Sequence, residues 1–104
     1  MGDFLFVSGQ VPLDPKTGKL AGEDIESQTR QALQNVKSIV EASGAKLSDV
    51  VKISVFLKSA DDFRRMNEVY KTYFTENAPA RTTVEAKLPG PGMLIMIDAI
   101  GYAH

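Results

Sequence analysis

Met93, Leu94, Ile95, Met96, Ile97, Ala99 and Ile100 run almost without interruption near the C-terminus, with Asp98 the one charge among them. The run is far shorter than the roughly 18 to 20 residues needed to cross a bilayer, and its β-branched content predicts a strand over 93–102. A strand with one face in water should alternate apolar and polar residues, and this one does not. Both faces of its sheet therefore require cover. With 104 residues and 11.3 kDa the chain is one domain, 1–104, and the remaining sequence offers only two helices. Two helices cover one face. The economical cover for the other is a second copy of the same chain in a closed symmetric oligomer.

The rest of the chain is consistent with that frame. Phe4 to Val7 predicts an N-terminal strand that Gly9 and Pro12 end, and Asp14-Pro15-Lys16-Thr17-Gly18 is a turn. Ile25, Thr29, Ala32, Leu33, Val36, Ile39 and Val40 have the spacing of one helix face, which Gly44 closes. Val51, Ile53, Val55 and Leu57 alternate with Lys52, Ser54, Phe56 and Lys58 and predict a strand with one apolar face. Ser59 is the expected N-cap of a second helix, with Asp62 completing a near capping box, and its stripe is Phe63, Met66, Asn67, Tyr70, Tyr73 and Phe74. Residues 81–86 read as a strand and Pro89-Gly90-Pro91-Gly92 as a turn. The order strand, helix, strand, helix, strand, strand predicts an α+β sandwich, two helices on one face of a four- or five-stranded sheet.

Composition removes several functions. Twelve Lys and Arg against 13 Asp and Glu leave no basic excess for a phosphate backbone, so a nucleic-acid partner is disfavoured. The absence of cysteine excludes thiol nucleophiles and thiolate metal sites, and the expected setting is the cytoplasm. Met1-Gly2-Asp3 followed by a strand pattern matches neither a signal nor a transit peptide, and no membrane partner is expected. His104, the one histidine, is read as a terminal residue, which argues against a His-based triad or metal site; no metal is expected. Glu23-Asp24 and Asp61-Asp62 precede or open helices, where carboxylates suit the positive dipole end. Gly90 and Gly92 lack the strand-to-helix setting of a phosphate loop.

Three positions invite a functional reading. Arg81, after Pro79-Ala80 at a strand start, is either a surface cation on a strand edge or a bidentate grip for a carboxylate. Asn67 lies on an apolar helix stripe, where an amide must bond a neighbouring segment or face a pocket. Asp98, inside the most apolar strand, requires a cation or several donors if it is buried.

Ser8-Gly9-Gln10-Val11-Pro12, Asp14-Pro15-Lys16-Thr17-Gly18, Asn35-Val36-Lys37-Ser38-Ile39-Val40-Glu41-Ala42 and Pro79-Ala80-Arg81-Thr82-Thr83-Val84-Glu85, with a terminal Ile95-Met96-Ile97-Asp98-Ala99-Ile100 segment, resemble the Rid family of reactive-intermediate deaminases, also called the YjgF/UK114 family. The resemblance covers nearly the whole chain. It implies a chorismate-mutase-like α+β fold, a homotrimer with ligand clefts between subunits, and hydrolysis of imines and enamines of the 2-aminoacrylate type to 2-keto acids and ammonia. No cofactor is implied. By position Arg81 matches the family's carboxylate-binding arginine, Ser8 and Gly9 match cleft-lining residues, Asn67 a cleft-proximal asparagine, and Thr83 a cleft residue that is often cysteine.

Two features depart from the family pattern. Members usually begin about two dozen residues earlier, with a strand and a tyrosine that reaches the cleft, and that N-terminal strand has no counterpart here. Where the last strand usually carries two glutamates, the first holding the attacking water, this chain has Met96 and Asp98. A thioether cannot orient or deprotonate water. Asp98, two residues along on the same strand face, is the candidate for water positioning if the cleft geometry shifts by about 6 to 7 Å. The expected activity is imine/enamine deamination; the alternatives are a trimer that binds small 2-keto carboxylates without turnover and, third, a ribonuclease or translation inhibitor.

Overall fold

The structure, a computed structural model, describes residues 3–103, so that His104 lies outside the described residues. Its elements are β1 (Asp3–Gln10), α1 (Ile25–Ala42), β2 (Val50–Leu57), α2 (Phe63–Tyr73), β3 (Ala80–Glu85) and β4 (Ile95–Ala103), with short 3₁₀ turns at Leu47–Asp49 and Ala60–Asp62. The sheet order is β1-β4-β2-β3. β4 is antiparallel to both β1 and β2, whereas β2 and β3 run parallel, joined by the crossover through α2. The expected two-helix layer on a mixed sheet is what forms.

Asp24 caps α1, its carboxylate accepting from the Ser27 backbone N–H at 2.8 Å. Gly44, at φ 91°, turns the chain out after the helix, a left-handed conformation that suits glycine. Ala32, Leu33, Val36 and Val40 of α1 and Met66, Val69 and Tyr70 of α2 pack with Ile53, Val55 and Leu57 of β2 and Ile95, Ile97 and Ala99 of β4. That is the core. Among the described residues the opposite sheet face has no such layer: Phe4 is 61% and Phe6 71% exposed there.

Four local expectations are corrected. Ser59 caps the 3₁₀ turn, its hydroxyl accepting from the Asp61 N–H, and α2 begins only at Phe63 with no side-chain cap from Asp62. Val51 is not a core residue: the register shifts between Val50 and Lys52, which turns Val50 inward and leaves Val51 47% exposed. On α2, Val69 joins the core while Phe63 stays 41% exposed. Asp98 is not a buried carboxylate. Ile95, Ile97 and Ala99 of β4 face the helices and are buried, whereas Met96, Asp98 and Ile100 line the open face and are half-buried.

Candidate functional site

Arg81 sits on β3, the outer strand, in register with Ile53 of β2, so it projects toward the helix layer. Across from it α2 presents Phe63, Asn67 and Tyr70, spaced four and three residues apart and hence on one helix face. The guanidinium carbon lies 4.5 Å from the Tyr70 ring centroid and 5.3 Å from that of Phe63. Nη1 donates to Asn67 Oδ1 at 2.7 Å. This contact gives a partner to the oxygen of the amide that looked out of place on an apolar stripe, and it holds one edge of the guanidinium. The other N–H donors of Arg81 have no acceptor, and no carboxylate forms an ion pair with it, among the described residues. Burial pushes the Tyr70 hydroxyl above its ordinary 10.0, with the Arg81 charge opposing the shift, so this ring is neutral beside the cation.

Thr83 shares the Arg81 face of β3, and its hydroxyl is buried without a hydrogen-bond partner among the described residues. Arg81, Asn67 and Thr83 thus come together. Ser8, Gly9 and Asp98 form a separate group. Asp98 is in register with Ser54 of β2, and together with Lys52, Phe6 and Ser8 they line a hollow on the open sheet face. Gly9 lies at the β1 bulge against Met96: a Cβ there would stand 2.9 Å from the Met96 sulfur. β1 and β3 are the two outer strands, three strand spacings of about 4.8 Å apart, or on the order of 14 Å. Within one chain the predicted residues therefore form two half-sites.

Sequence reasoning treated Phe63 and Tyr70 as packing residues and passed over Lys52 and Ser54. The spacing of Phe63, Asn67 and Tyr70 was the available signal for the first pair; the second required the register. A concavity of about 750 Å³ lined by residues 85–93 and Lys58 contains none of the predicted residues. No group of His, Cys, Asp or Glu able to hold a metal occurs among the described residues.

A two-helix layer on a mixed four-stranded sheet, with a guanidinium at the outer strand that makes no ion pair among the described residues, defines a small α+β protein. Residues 1–103 match the family model described as endoribonuclease L-PSP, and the chain belongs to that family, the Rid or YjgF family of the motifs above. It is 52% identical over 101 residues to a RutC family protein of Pyrococcus horikoshii, covering 97% of this chain and 80% of the relative. It is 51% identical over 104 residues to the 2-iminobutanoate/2-iminopropanoate deaminase of Salmonella typhimurium, covering 96% and 80%. The crystal structure of the YjgF gene product of E. coli superposes with a TM-score of 0.91 at 44% identity, covering 100% of this chain and 84% of that one.

Proposed function

We propose that this chain hydrolyses small 2-imino acids, and the enamines that tautomerise to them, to 2-keto acids and ammonia, with Arg81 holding the substrate carboxylate. The carrying observation is the guanidinium of Arg81, fixed by Asn67 on one edge and aromatic rings on its face, with donors left for a planar two-oxygen partner. The name of the Salmonella relative supports the same substrate class. An imine carbon is already electrophilic. Water adds to it to give a carbinolamine, a proton moves to nitrogen, and the C–N bond breaks to release ammonia and leave the carbonyl. Positioning of water and carboxylate supplies the rate, and the scheme uses no cofactor.

The carboxylate anchor and the Ser8, Gly9 and Asp98 group stand too far apart within one chain to share a ligand. The reading therefore includes a homotrimer in which the β3 edge of one copy meets the open sheet face of the next. The exposed Phe4, Phe6 and Val84 are the apolar surface such packing would bury. In that cleft Asp98 is the residue proposed to orient the water. Ammonia release from a freshly generated 2-aminoacrylate-type imine, compared between the parent and Arg81→Ala, tests the activity. An Arg81-dependent rate is expected, and an equal rate in both proteins would sink the assignment.

A second reading rests on Met96, whose thioether occupies the open-face position beside Gly9 where a water-holding carboxylate is expected. On that reading the assembly binds 2-keto carboxylates and does not turn imines over. Arg81-dependent pyruvate binding without ammonia release would select it.

A further inference from the structure

We infer that Tyr70 is a positioning residue for Arg81: its ring, packed against Phe74, is the platform that fixes the plane of the guanidinium. The inference rests on reading Arg81 as the carboxylate anchor. An arginine on an outer strand ordinarily samples many rotamers, and a fork that recognises two oxygens works only if its plane is set before the ligand arrives. Two contacts can set it here. Asn67 fixes one N–H edge but still allows the guanidinium to swing about that bond. The Tyr70 ring, 4.5 Å from the guanidinium carbon, removes the swing.

Tyr70 is itself immobile enough for this task. It is 5% exposed, and its ring lies 4.9 Å from that of Phe74, which is 9% exposed. Its hydroxyl is buried without a hydrogen-bond partner among the described residues. A hydroxyl left in that state is a cost to folding, so what the side chain contributes here is its ring and not a bond made by its oxygen. Phe63, 5.3 Å away and 41% exposed, is the looser second wall.

Side-chain nitrogen NMR of the ligand-free protein tests the inference without a substrate. In the parent, rotation about the Arg81 Nε–Cζ bond should be slower than in the exposed Arg30 and Arg64. Tyr70→Leu should speed it by about three- to tenfold, the range expected for loss of one cation–π contact, and Tyr70→Phe should restore the slow rotation. A second arm measures pyruvate affinity. Tyr70→Leu should weaken it by a similar factor in the parent background and by nothing further in an Arg81→Ala background. If Tyr70→Leu proves unfolded, the parent spectrum and the exposed-site variant Phe63→Leu, expected to give a smaller acceleration, carry the test. Rotation at Arg81 as fast as at Arg64 in the parent overturns the inference. Slow, Tyr70-dependent rotation with no pyruvate binding by the parent would keep the positioning role and remove the carboxylate-anchor reading instead.

Discussion

Arg81 and Asp98 project from opposite faces of one sheet: Arg81 is in register with the buried Ile53, and Asp98 with Ser54, the next residue along β2. One strand position separates them in pairing, and a whole sheet thickness separates their side chains. A reaction that needs both cannot occur within a single copy.

The chain should therefore sediment as a trimer of about three times 11.3 kDa at micromolar concentration. Phe6→Lys is the sharper probe, since a residue 71% exposed costs a lone chain little when replaced. We expect the variant to keep its circular dichroism and lose the assembly. A monomeric parent would end the shared-cleft proposal.

Arg81→Ala should weaken pyruvate or 2-oxobutyrate binding by about 1.5 to 3 kcal/mol, roughly ten- to a hundredfold, as removal of a charge-assisted bidentate pair does. Arg81→Lys should rescue only in part, because an ammonium has the charge without the fork. Isothermal titration of all three proteins at one salt concentration checks this. Equal affinities would return Arg81 to the status of a surface cation.

Met96→Glu addresses the water. On β4 residue 96 lies on the same face as Asp98, so a glutamate there would add a carboxylate to the open-face group. If hydrolysis is limited by orientation of water, ammonia release should rise by about a hundredfold, the low end of the usual range for a positioned general base. An unchanged rate with unchanged pyruvate affinity would show that a carboxylate at residue 96 does not set the rate.

Much of this architecture is legible in the sequence, and the gaps have physical causes. The alternation of Ile53, Val55 and Leu57 gives away the inner face of β2, but the bulge that exchanges Val51 for Val50 depends on pairing with β4, which no local pattern records. Asn67 is conspicuous as an amide on an apolar stripe, so a partner is predictable; that the partner is Arg81 follows only from the β2–β3 register. Asp98 reads as buried because its neighbours are apolar, yet the face it occupies is uncovered in one chain. Gln28 gives no signal at all. It is fully buried on α1 because its partners are backbone groups of the turn just before that helix and of the remote 92–94 segment.

Gln28 accordingly yields a stability prediction. Its Nε2 donates to the carbonyls of Gly22 and Gly92, each at 2.9 Å, and its Oε1 accepts from the Leu94 N–H at 2.8 Å. Gln28→Leu fills a similar volume but leaves those three backbone groups without their partner. We expect a loss of about 2 to 4 kcal/mol in urea unfolding with little change in m-value. A loss under 1 kcal/mol would mean that water replaces the amide and that the loops are not pinned through it.

The last prediction concerns acid. Asp24, at the N-cap of α1, has its carboxyl held below the ordinary 3.8, first by the Ser27 backbone N–H and then by the Ser27 hydroxyl. Glu26, in the first turn of α1, is held below 4.5 chiefly by the Arg65 guanidinium, which meets it through two bonds of 2.8 Å. A carboxylate whose folded pKa is depressed stabilises the fold fully above its unfolded pKa, and that stabilisation disappears as pH falls through the lower folded value. Both groups therefore contribute near neutrality and withdraw their support below about pH 4.5. Asp24 is exposed and Glu26 half-buried beside solvent, so salt should shrink the Glu26 contribution, while the short backbone bond of Asp24 should resist screening. Asp24→Asn keeps an oxygen to cap the helix and removes the titration. Its stability should fall less steeply than the parent's between pH 5 and 3, and a parallel acid limb in the two proteins would place the titrating groups elsewhere.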